Sequence, residues 1–135
     1  MGLLVNIDVD DLERGIAFYT AAFQLRVGRR LGPTVVELVG TDAAIYLLEK
    51  PAGTPPYDGA TTPRSYARHW TPVHLDFVVD DIEAALARAV AAGATHERPI
   101  ATHAWGRITL VVDPFGHGVC LLQFSERGYD AIAIA

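Results

Sequence analysis

A chain that says the same thing twice has few ways to fold. Residues 74–94, HLDFVVDDIEAALARAVAAGA, echo residues 4–24, LVNIDVDDLERGIAFYTAAFQ. A shift of 70 positions pairs Asp10 with Asp80, Asp11 with Asp81, Glu13 with Glu83, Ala21 with Ala91 and Ala22 with Ala92. In both copies an alternating run, Leu4 to Val9 and His74 to Val79, reads as a strand of period two. The Asp-Asp pair that follows suits a helix start, where carboxylates cap free amides and meet the positive end of the helix dipole. Apolar residues then recur at three-to-four-residue spacing: Leu12, Ile16, Tyr19 and Phe23 in the first copy, Ile82, Leu86, Ala89 and Val90 in the second. Gly93 ends the second helix. Further strand-like runs follow each helix, TVVELVG and AAIYLLEK in the first half, RITLVVD and GVCLLQF in the second. DPFGHG joins the last two, and Pro114 and Gly116 in its turn positions predict a hairpin.

Each half thus reads strand, helix, then about three strands, and neither is large enough to cover its own sheet. The expected fold class is α+β: two tandem βαβββ modules forming one curved mixed sheet around a cleft, with the helices on its outer face. The modules fall at 1–49 and 73–125, joined by a loop at 50–72 and followed by a tail at 126–135, as one domain. The loop carries five prolines together with Tyr57, Tyr66 and Trp70. A segment this long without periodicity is either a functional loop or a mobile linker. The mixed C-terminal segment packs on the other half or on a second subunit.

Half of the 135 residues are apolar, enough for a buried core. No apolar run approaches the roughly 18 to 20 residues of a membrane span, and the start of the chain has no basic region followed by an apolar signal segment. A cytoplasmic protein that does not enter a membrane is expected. Met1-Gly2 opens like an acylation signal, but Asn6 stands where that signal wants Ser or Thr. The one cysteine, Cys120, excludes an intrachain disulfide framework and a cysteine-rich zinc ribbon. The net charge is −5 and the 11 basic residues are scattered, so there is no footprint for nucleic acid.

Alternation decides which side chains face away from the helices. Val5, Ile7 and Val9, and Leu75, Phe77 and Val79, suit the helix side. Their neighbours Leu4, Asn6 and Asp8, then His74, Asp76 and Val78, point the other way. Polar groups meant only to pack need partners, so this face reads either as a polar-lined pocket or as a sheet face open to water.

The entry DVDDLERGIAFYTAAFQL and the closing WGRITLVVDPFGHGVCLLQF resemble those of the vicinal oxygen chelate superfamily, the group of glyoxalases, bleomycin-resistance proteins, fosfomycin-resistance enzymes and extradiol dioxygenases. The resemblance covers most of the chain. It implies the βαβββ pair and a homodimer. In metal-using members each half supplies ligands from its first and last strands, and a divalent ion there stabilises an anionic intermediate. Carried onto this sequence, the ligand positions hold Leu4, Tyr46, His74 and Cys120. A leucine cannot ligate, a phenol and a thiol must first lose a proton, and one imidazole holds a metal weakly. No metal or other cofactor is therefore expected. The alternative is a divalent metal with His74 as the only family-matching ligand, helped by Asp76 or Asp8. Glu49 fills the glutamate position only if the last strand of the first half slips so that Ile45 and Leu47 turn inward.

Two functions follow. In the first the chain binds a small organic molecule, oriented by Asn6, Asp8, Tyr46, His74, Asp76, Arg107 and Cys120, with Trp105 as a wall. In the second it is a lyase or isomerase, or a dioxygenase, in which a divergent metal site, or His74 and Asp76 as acid and base, carry the chemistry. Cys120 reads as a small apolar filler or as a nucleophile beside His74. Asp8 and Asp76 are either a carboxylate pair near His74 or salt-bridged to Arg107 or another arginine. Trp70 and Trp105 are ligand walls or interface residues, and His103 and His117 are read as solvated.

Overall fold

The computed structural model describes residues 1–135 and builds the repeat twice. The first unit, Met1–Ala67, orders β1 (Leu4–Val9), α1 (Leu12–Phe23), β2 (Arg26–Arg30), β3 (Val35–Val39) and β4 (Ala44–Glu49). The second, Arg68–Ala135, orders β5 (Leu75–Val78), α2 (Ile82–Ala92), β6 (Thr95–His103), β7 (Gly106–Val112), β8 (Gly118–Phe124) and a short 3-10 turn at Gly128–Ala131. Most of the Pro-rich connection thus belongs with the first unit. The fold class is α+β with two βαβββ modules, as the repeat implies.

Each unit is a four-stranded mixed sheet, ordered β1-β4-β3-β2 in the first and β5-β8-β7-β6 in the second. The first strand pairs parallel with the last, which requires a crossover, and the helix supplies it. The remaining pairings are antiparallel.

The helices begin where the Asp-Asp pairs place them. Asp11 and Asp81 are the caps, accepting from the Arg14 amide at 2.9 Å and the Ala84 amide at 3.0 Å. A second device is repeated as well. Glu49 Oε2 accepts from the Leu12 amide at 2.8 Å, and Gln123 Oε1 accepts from the Ile82 amide at 2.9 Å, so the end of each last strand satisfies another free amide of its helix. Gly93 closes α2 at φ 119° with its amide on the Ala89 and Val90 carbonyls, whereas Gln24 closes α1 at φ 56°.

The buried face of α1 is Leu12, Gly15, Phe18, Tyr19 and Ala22, and that of α2 is Ile82, Ala85 and Ala89. Against the spacing-based expectation, Val90 is exposed and Phe18 is buried, because the stripe that meets the sheet lies about one residue round from the predicted one. The helices cover Val9, Val36, Leu38 and Leu47 in the first unit and Val111, Val119 and Leu121 in the second. A further difference concerns β5, which spans Leu75–Val78 and leaves His74 just ahead of the ladder.

Candidate functional site

The sheet faces turned away from the helices carry most of the polar residues singled out in the sequence. In the first unit the ladder places Asn6, Tyr46 and Glu37 in one row across β1, β4 and β3. The next strand, β2, has an irregular register between Val27 and Arg30, and this bulge brings Arg29 onto the same face. Arg29 then grips Glu37 twice, Nε donating to Oε1 at 3.0 Å and Nη2 to Oε2 at 2.5 Å, and Nη2 also donates to the Tyr46 hydroxyl at 3.1 Å. The Tyr46 hydroxyl in turn donates to Glu37 Oε2 at 2.7 Å, and the Arg29 amide to Oε1 at 3.3 Å. Glu37 and Tyr46 are 8% and 9% exposed, while the Arg29 side chain is 68% exposed. Arg29 and Tyr46 hold the Glu37 carboxyl down to about 2, and that carboxylate, with burial, pushes the Tyr46 phenol up. A Cβ on Gly28 would stand 2.6 Å from Glu37 Oε1, so glycine there leaves room for the carboxylate.

Asp8 lies two residues along β1 from Asn6 and binds the connecting segment. Its Oδ2 accepts from Arg64 Nε at 3.2 Å, and Arg64 also donates to Thr54 Oγ1 at 3.0 Å and the Pro55 carbonyl at 2.8 Å. Tyr66 donates to the Lys50 carbonyl at 2.5 Å, and burial pushes its phenol up to about 12. Arg64 thus fastens residues 50–66 to β1, and the other bonds tie the segment to itself.

In the second unit Asp76 pairs with Cys120, Cys120 with Leu110 and Leu110 with Arg98. His74 Nδ1 lies 3.3 Å from Asp76 Oδ1, with the two side chains 62% and 30% exposed. Burial first, and then the Asp76 carboxylate beside it, push the Cys120 thiol up to about 11, with Arg98 pulling weakly the other way. Asp76 is therefore the neighbour of both His74, which alternation puts on the same face, and Cys120, whose thiol is held neutral.

The other residues singled out in the sequence are placed as follows. Arg107 sits in register with Gln123 and reaches Glu83 on α2, so it lies on the helix side and serves neither Asp76 nor Asp8. Trp105 stacks on His103 in the β6–β7 hairpin, centroids 4.8 Å apart at 10°, and meets Tyr129 at 5.7 Å. His117 is half-buried rather than solvated, its Nδ1 2.8 Å from His69 Nε2, because the His69 amide bonds the Gly116 carbonyl and draws the segment onto the turn. Glu49, occupied at the α1 terminus, is not displaced into the glutamate position. Ile45 and Leu47 stay buried on the helix side.

Arg29 and Glu37 escaped the sequence reading. Glu37 carried a signal, since a carboxylate between Val36 and Leu38 has no place on an apolar strand unless something holds it. Arg29 carried none, because its face depends on the bulge.

At the positions where metal-using relatives keep ligands, Leu4 has no donor, the Tyr46 hydroxyl is committed to Glu37 and Arg29, and the Cys120 thiol stays protonated. His74 alone retains ordinary ligand chemistry. Those four positions by themselves thus offer one ordinary metal ligand, and one imidazole holds a divalent ion weakly.

The glyoxalase-like domain model matches residues 4–122. An uncharacterized protein of Mycobacterium bovis is 33% identical over 116 residues, covering 83% of this chain and 76% of that protein. A second, from Mycobacterium tuberculosis, has the same identity and covers 68% of its own length. Among solved structures, the fosfomycin resistance protein FosX of Listeria monocytogenes superposes with a TM-score of 0.70 at 18% identity, covering 94% of this chain and 96% of that one. A glyoxalase-related enzyme from Fulvimarina pelagi gives 0.67 at 19%, covering 91% and 88%. At these identities the structural likeness speaks for the fold.

Proposed function

The chain belongs to the glyoxalase-like domain family, and we propose that it binds a small organic molecule on the sheet faces turned away from its helices, without the metal that many relatives use. The observation that carries this reading is the pair of polar rows, Asn6, Tyr46, Glu37 and Arg29 in one unit and His74, Asp76 and Cys120 in the other, on faces where a packed sheet would be apolar. Polar groups so placed orient a ligand by hydrogen bonds while their apolar neighbours supply contact area. A FosX of Listeria monocytogenes was crystallised with Mn(II) and a dihydroxypropylphosphonic acid, so the fold is able to hold a small polar molecule. A homodimer and a cytoplasmic location go with the reading. No helix is long and apolar enough to cross a membrane.

A second reading rests on one contact, His74 against Asp76 at 3.3 Å. An imidazole backed by a carboxylate is a general base, and a lyase or isomerase would use it to move a proton next to a carbonyl. Substitution separates the two. His74→Ala weakens binding of a screened ligand if the first holds, and lowers turnover with binding largely kept if the second holds. Elemental analysis of protein purified without chelators tests the metal. A stoichiometric transition metal that disappears in His74→Ala overturns the metal-free proposal, and its absence from wild type supports it.

A further inference from the structure

The cluster around Glu37 is costly to build and lies on the face opposite the helix. Val36 and Leu38 on the same strand are completely buried against the helix, while Glu37 projects to the other face. A carboxylate buried to 8% exposure needs full compensation, and the chain provides it with a bulge, a glycine and a phenol. The product is a guanidinium held in one orientation. Arg29 spends Nε and Nη2 inward on Glu37 and Tyr46, which leaves both hydrogens of Nη1 without a partner on a side chain that is 68% exposed. A mobile surface arginine loses rotamer freedom when it binds, and this one has lost it already. Arg30, the next residue, turns to the helix side and pairs with Glu13 at 2.8 Å, so the bulge separates two adjacent arginines into different roles.

We propose that Arg29, fixed by Glu37 and Tyr46, is a seat for an oxyanion, so that the molecule bound on this face carries a carboxylate or a phosphate-type group. The inference rests on the small-molecule reading above and narrows it to anionic ligands. Planar donors fixed in a fork match such groups, and Asn6, in register beside Tyr46, presents an amide along the same row for a second polar atom of the ligand.

The test is a titration of the full chain with inorganic phosphate and with acetate at constant ionic strength, with chloride as the control, followed in ¹H–¹⁵N spectra that include the Arg29 Nε–H. Saturable shifts at Arg29 and Tyr46 with phosphate or acetate, absent with chloride, are expected; whichever oxyanion binds more tightly identifies the class. Arg29→Gln weakens that affinity at least about tenfold, whereas Arg30→Gln, which removes the same charge one residue away, changes it less than about twofold. Equal losses in the two variants reduce the effect to general charge and overturn the seat. Arg29→Gln leaves a buried carboxylate alone, so the double variant Arg29→Gln, Glu37→Gln is the companion that removes the pair together. If it folds and binds phosphate and acetate as wild type does, the proposal is wrong. Neutral organic ligands that bind while both oxyanions fail likewise refute the seat and leave the binding reading standing. A screen in which neither class binds sinks the binding reading itself.

Discussion

Cys120 shows how neighbours decide what a side chain can do. It faces Asp76 from a half-buried position, and both its burial and that carboxylate oppose a second negative charge, which pushes the thiol up to about 11. At pH 7 only on the order of one molecule in 10,000 carries the thiolate, against about one in a hundred for an unperturbed cysteine. Iodoacetamide should therefore label Cys120 roughly a hundredfold more slowly than free cysteine at pH 7, with the rate still rising between pH 9 and 11, and Asp76→Asn should speed it. Labelling at the rate of free cysteine in the native protein refutes the assignment and reopens the nucleophile reading. The family resemblance made the placement of Cys120 legible, since it puts Cys120 at an inner-face ligand position, but not its state, which depends on Asp76 from a different strand. The same holds for Tyr46. The resemblance placed it on the face away from the helix, whereas its commitment to Glu37 and Arg29 depends on two other strands and a bulge.

Among the elements, the ones readable in advance were those that carry their own signal. The Asp caps, the helical period (though not the exact buried stripe) and the Pro114–Gly116 turn are local, because the free amides, the 3.6-residue repeat and the turn dihedrals each demand particular residue types nearby. The edge strands β2 and β6 were not readable. β2 is exposed along its whole length and reads RVGRR, and β6 reads THERPIATH with a single half-buried residue, so neither has an apolar period; each exists because β3 or β7 offers it a ladder. The β6–β7 hairpin nevertheless has a strict local requirement at Gly106. Its φ is +152°, and a Cβ there would lie 2.3 Å from the Gln123 carbonyl oxygen and 2.9 Å from the Phe124 Cα, backbone atoms that cannot move without breaking the β7–β8 ladder. Gly106→Ala should cost about 3 kcal/mol or more, a fall in Tm on the order of 10 °C. Gly32 is the control, since it too has a positive φ, +76°, but nothing within 4 Å of a Cβ. Gly32→Ala should cost only about 1 kcal/mol, and similar Tm losses in the two variants would mean that backbone conformation, not the close approach, sets the requirement.

Across the whole molecule the repeat extends to its charges. The first-turn glutamate of each helix, Glu13 or Glu83, pairs with an arginine on the helix side of its own sheet, Arg30 or Arg107, and Glu97 pairs with Arg68 at 2.8 Å. With Glu37 these are four carboxylates that arginine partners hold below the usual range. A carboxyl whose folded-state value lies below its unfolded one stabilises the fold fully above the unfolded value and loses that contribution as pH falls through the folded value. Stability should therefore fall on acidification from about pH 4.5, and the three open surface pairs should contribute little to the fall because water screens them. Glu37 differs because its carboxylate is buried beneath Arg29 and Tyr46 and its own loss extends down to about 2. Glu37→Gln keeps the shape and removes the titration. Thermal melts of wild type and Glu37→Gln at intervals from pH 7 to pH 2 should show wild type more stable above pH 4.5, with the gap narrowing steadily below it and closing near 2. A gap that stays constant over that range would show that Glu37 acts through its shape and hydrogen bonds alone, without its charge.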